Sequence, residues 1–71
     1  MRYQVWDDDT GNVVAGYNTL DEAVSLLLAM LKQNGPSSVS DLAIIDYPPN
    51  GSDPITVLEG TDFLAQQRAS V

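Results

Sequence analysis

The chain contains neither cysteine nor histidine. The first absence excludes disulfides and thiolate chemistry, and leaves cysteine usage silent on redox compartment. The second removes the commonest metal ligand and the usual general base. Cations are almost as scarce: Arg2, Lys32 and Arg68 stand against ten acidic residues, for a formal charge of −7. A phosphate backbone is held by a stripe of lysine or arginine that displaces counterions, and these scattered cations form no stripe. Direct binding of DNA or RNA is therefore not expected. Long apolar runs are missing too. The longest, Leu26 to Leu31, falls far short of the roughly 20 residues that span a bilayer. The opening Met1-Arg2-Tyr3-Gln4-Val5-Trp6 lacks the basic region, apolar core and cleavage site of a signal peptide. These exclusions point to a cytoplasmic protein of bacterial or phage type, with no membrane partner.

What is present belongs to a globular chain, with 44% hydrophobic and 18% charged residues. A length of 71 residues makes one domain, 1–71. That size lies near the lower limit for folding without metals, disulfides or association.

Tyr3 to Trp6 and Val13 to Tyr17 read as strands joined by Asp7-Asp8-Asp9-Thr10-Gly11-Asn12, because Asp and Asn beside a glycine suit a hairpin turn. A three-residue loop Asp9-Thr10-Gly11 pairs Tyr3 with Tyr17, Val5 with Ala15 and Asp7 with Val13. One face then carries Tyr3, Val5, Val13, Ala15 and Tyr17, and the other Gln4, Trp6, Val14 and Gly16. A four-residue loop would put Gln4 and Trp6 with Ala15 and Tyr17, a less clean segregation, so the first register is expected.

Thr19-Leu20-Asp21-Glu22 matches a capping box and predicts a helix from Leu20 to Asn34, ended by Asn34-Gly35-Pro36. Pro36 to Ser40 reads as a short polar connection. Asp41 to Tyr47, around Leu42-Ala43-Ile44-Ile45, predicts a central strand. Pro48 to Asp53 is a turn cluster, and Pro54 to Glu59 a fourth strand with its proline at the start or edge. Gly60-Thr61-Asp62 opens a short helix to about Gln67, with Phe63 and Leu64 facing inward. The sequence shows no internal repeat. This order predicts an α+β fold: a two-layer sandwich in which a four-stranded, largely antiparallel sheet (β-β-α-β-β) carries the main helix on one face, with a short C-terminal helix.

That main helix is apolar over more of its surface than one sheet needs. Between Ala23 and Leu31 only Ser25 interrupts the apolar residues, whereas a helix on one sheet normally shows a single apolar stripe. Ala23, Leu27, Met30 and Leu31 make the expected core stripe, and Leu28 is expected to face away from it. The uncovered sheet face would carry Trp6 and Val14 as a cross-strand pair, together with Leu42/Ile44 or Ala43/Ile45. Exposed apolar patches of this kind mark contact sites. Trp6, Val14, Val24 and Leu28 are therefore the candidate protein-interface residues, and a symmetric homodimer is the expected assembly.

Catalytic chemistry finds no foothold. Asp7 and Asp9 alternate as calcium ligands do, but Gly11 comes one residue early and no distal glutamate follows at the required distance. Ser25, Ser37, Ser38 and Ser40 have no histidine to activate them, and no serine lies in Gly-x-Ser-x-Gly. No glycine-rich loop opens a helix beside a lysine to cradle phosphate. A carboxylate-only site would need two aspartates to converge, for instance Asp46 with Asp53. A small-ligand site in the sheet–helix cleft has no residue set to name. No catalytic, metal or cofactor-binding residues are assigned, and no cofactor is expected.

The stretch Tyr17-Asn18-Thr19-Leu20-Asp21-Glu22-Ala23-Val24, a strand running into Thr-x-x-Glu-Ala, resembles the start of the helix in HicB-type antitoxins, which have a small β-rich domain with one helix. The chain departs from that family in having only a two-stranded hairpin before the helix and no DNA-binding segment after it. The whole pattern, with Asp-x-Thr-Gly-Asn in the hairpin and Val-x-x-Gly before the last helix, is similar to short uncharacterised bacterial proteins of the same element order. That likeness implies a fold and supplies no activity. The expected role is a non-catalytic protein-interaction module that self-associates through its helix or open sheet face. The alternative is an acidic antitoxin or inhibitor that neutralises a basic protein partner.

Overall fold

The computed structural model describes residues 2–69. The chain runs through β1 (Tyr3–Asp7), β2 (Asn12–Tyr17), α1 (Leu20–Asn34), a 3-10 turn (Pro36–Ser38), β3 (Leu42–Asp46), β4 (Ile55–Glu59) and α2 (Gly60–Ala69). The strands form one antiparallel sheet in the order β2-β1-β3-β4. This is the expected small α+β fold, and α2 extends beyond Gln67 to Ala69.

Helix α1 starts and stops where its local chemistry dictates. The Thr19 hydroxyl oxygen accepts from the Glu22 amide at 3.3 Å and donates to the Glu22 carboxylate at 3.0 Å. Asp21 and Glu22 complement the helix dipole at this end and Lys32 at the other. At the C-terminus Gly35 adopts φ 85°, and its amide donates to the Leu31 carbonyl at 3.0 Å. Pro36 then starts the 3-10 turn instead of prolonging the helix.

The first hairpin combines both registers weighed from the sequence. Tyr3 does pair with Tyr17 and Val5 with Ala15, but Trp6 pairs with Val13 and Asp7 with Asn12. The loop is therefore the four residues Asp8 to Gly11, closed by the Gly11 amide donating to the Asp7 carbonyl at 2.7 Å, with Gly11 at φ +73°. A β-bulge between Val5 and Trp6 absorbs the difference and leaves Val14 as the extra residue of β2. The expected pairing of Trp6 with Val14, and of Asp7 with Val13, is corrected accordingly. Alternation alone could not show this, because a bulge resets the face of every residue beyond it.

The core joins Val5 of β1, Leu42 and Ile44 of β3, Ala23 and Leu27 of α1, Phe63 of α2, and Val39. Val5 and Ile44 are cross-strand partners and share a face, so both helices lie on the same side of the sheet. Val39 had been read as part of a polar connection, yet it is fully buried. The 3-10 turn folds back on α1, with the Ser38 hydroxyl donating to the carbonyls of Gly35 (2.7 Å) and Met30 (3.2 Å), and this tucks Val39 beneath. Phe63 is buried and Leu64 half-buried, as expected.

The topology also holds a repeat that the sequence conceals. Two β-β-α units, β1-β2-α1 and β3-β4-α2, meet through β1 and β3, and the Val5–Ile44 pair lies at the centre of a pseudo-twofold. The bulge between Val5 and Trp6 in the first unit recurs between Ile44 and Ile45 in the second, where Val57 is the extra residue. Asp7 and Asp46 end equivalent strands, and Gly11 and Gly51 both take positive φ in the equivalent hairpin loops. Loop lengths and helix lengths differ between the units, which is why no sequence repeat is visible.

Candidate interaction surface

The interface residues inferred from sequence fall on two different surfaces. Val24 and Leu28 sit half-buried on α1 and pack against the core. Leu28 does not face away from the core stripe, as had been expected. Phe63 of α2 and Val39 lie in the same buried cluster as Ala23 and Leu27 of α1, and Leu64 packs against it. Leu27 is fully enclosed, and Leu26, Met30 and Leu31 are half-buried against the same cluster.

Trp6 and Val14 belong to the sheet. Trp6 lies on the face opposite the helices, level with Val13 on β2 and with Ala43 on β3. One step along, Gln4 is level with Gly16 and Ile45. Ala43 and Ile45 thus occupy the uncovered face and Leu42 and Ile44 the core, which resolves the two options the strand left open. Trp6 and Ile45 are half-buried, while Ala43, flanked by Trp6 and Glu59 in the ladder, is only 3% exposed. The Trp6 indole N–H donates to the Gln4 side-chain oxygen at 3.1 Å. Its hydrogen bond is made within the strand, so a partner covering the ring would bury no unpaired donor. Val13 and Val14 are each 46% exposed, and on the far edge Ile55 and Val57 are 56% and 41% exposed. Large apolar exposure is therefore concentrated on the sheet; on α1 it is confined to Leu20 in the first turn, among the described residues. Periodicity hid the part played by Val13, because the bulge moved it to the Trp6 face.

Charge is distributed unevenly. The Asp8 amide donates to the Asp41 carbonyl at 2.8 Å, which extends the β1–β3 ladder and sets Asp41 beside the Asp7-Asp8-Asp9 tip. At the other end of β1, Arg2 holds Asp46 through both carboxylate oxygens, at 2.9 and 3.2 Å. The guanidinium also lies over the Tyr3 ring, 5.5 Å from its centroid. The hydrogen bond to Asp46, and then its charge, raise the Arg2 pKa above its ordinary value. The Ser25, Ser38 and Ser40 hydroxyls donate to backbone carbonyls. Among the described residues, no three His, Cys, Asp or Glu side chains gather as a metal site, and no helix is long and apolar enough to cross a membrane. Comparison with protein-family models, with curated proteins and with solved structures gave no match.

Proposed function

We propose that the protein is a cytoplasmic, non-catalytic interaction module that pairs with a second copy of itself through the open face of its sheet. The supporting observation is the cross-strand row Val13–Trp6–Ala43, with Ile45 beside it, on a face that neither helix covers. A half-buried tryptophan with its N–H already bonded is a suitable interface anchor, since aromatic residues dominate the energetics of such contacts. Two such sheets packed face to face would give a four-layer α-β-β-α assembly, with sheets about 10 Å apart.

Light scattering on the protein at about 100 μM, well above the range in which a micromolar dimer dissociates, should report twice the mass of one chain. Ile45→Lys should return the mass to one chain with the circular dichroism spectrum unchanged, because Ile45 lies outside the core. A wild-type protein that remains a single chain at that concentration would refute the reading.

A second reading is supported by the Asp7-Asp8-Asp9 tip with Asp41 held against it. Such an acidic end suits a basic protein partner, as in an antitoxin or inhibitor. That partner would be recognised by an affinity that falls steeply with salt and is weakened by replacing Asp8 and Asp9 with asparagine.

A further inference from the structure

Away from the open sheet face, the C-terminal end of α1 and the last turns of α2 enclose a groove of ≈ 220 Å³ lined by Leu31, Pro36, Leu64, Gln67 and Arg68. Three of its lining residues, Leu31, Pro36 and Leu64, are aliphatic, and the other two, Gln67 and Arg68, carry polar groups. Lys32 follows Leu31 directly at the helix end. Of the chain's three cations, Arg2 is committed to Asp46. Of the other two, Arg68 lines this groove and Lys32 is the sequence neighbour of the lining residue Leu31, and among the described residues neither has a carboxylate partner. In a chain of net charge −7, a cation with no carboxylate partner among the described residues thus lies at an apolar groove whose described lining includes no acidic residue.

We infer that this groove binds a small amphipathic carboxylate, its aliphatic chain lying between Leu31, Pro36 and Leu64 and its carboxylate meeting Arg68. Arginine presents a planar fork suited to that group, and mostly apolar sites with a few placed polar groups are the usual pattern for small ligands. The volume is below the several hundred Å³ typical of drug-sized pockets. It therefore selects a short ligand, such as a medium-chain fatty acid.

Sodium octanoate titrated into the ¹⁵N-labelled protein tests this. Saturable shifts are expected at the amides of Gly35, Ser37, Leu64, Gln67 and Arg68, with the Trp6 indole signal unmoved. Octanol, of the same length but uncharged, should bind at least about threefold more weakly, and Arg68→Gln should abolish that preference while leaving octanol binding intact. The inference is overturned if octanoate leaves those amides unmoved. It is equally overturned if octanoate and octanol bind alike to the wild type, or if Arg68→Gln retains the preference. The spectrum of the variant reports its fold directly, and Lys32→Gln and Arg68→Lys supply further variants should Arg68→Gln misfold.

Discussion

At the residue scale, Gly60 shows how closely two segments can be pressed when one side chain is missing. A β-carbon on Gly60 would collide with the Val39 carbonyl oxygen and stand 2.9 Å from that of Leu42. Both obstacles are backbone, and the Leu42 amide also donates to the Val39 carbonyl at 2.9 Å, so neither is free to retreat. Gly60→Ala should therefore destabilise the protein by about 1–3 kcal/mol or more, read as a lowered urea midpoint. The sequence displayed Gly60 as a possible helix start. Its closeness to Val39 could not be read there, because the two are brought together by the long-range pairing of β4 with β3, which sets Glu59 opposite Ala43. Val39 is the same lesson from the other side: a single valine in Ser-Ser-Val-Ser has no periodicity to reveal it as core.

At the scale of elements, α1 was legible from its residues because its determinants are local. The Thr19–Glu22 box, the acidic first turn, Lys32 and Gly35 each act within a turn of the chain, and all occur where the sequence placed them. Thr19→Ala should lower stability by about 1 kcal/mol in thermal or urea unfolding, with Thr19→Asp recovering most of it. The flank of α1 was misjudged because the core it packs against is assembled from distant sequence. Leu28 packs against the core, so Leu28→Ala should cost about 1–2 kcal/mol in urea unfolding while leaving the association state unchanged. A variant that loses the dimer at full stability would return the interface to the helix. The register of β2 escaped for a related reason. The residues of the turn permit two loop lengths, and the sheet uses one at the tip and the other beyond the bulge.

At the scale of the whole molecule, strand number, the pairing of β1 with β2 and the two-layer architecture followed from order and punctuation alone. The pairing of β1 with β3 did not, since nothing in either strand marks its neighbour. That central pairing creates the pseudo-twofold and places Trp6 beside Ala43 instead of on a rim. It also explains why the candidate surface was only half visible: Trp6 stood out as the chain's single tryptophan, but its neighbours depend on a long-range register.

The matched bulges carry one last consequence. The outermost strands, β2 and β4, each hold one valine that the adjoining strand leaves unopposed. A rim kinked in this way is a poor template for a further strand. Growth of the sheet sideways, chain after chain into a fibril, is discouraged at both borders. Stacking through the open face, as proposed, would be self-limiting, since two copies would use up both such faces and the assembly would close as a finite particle.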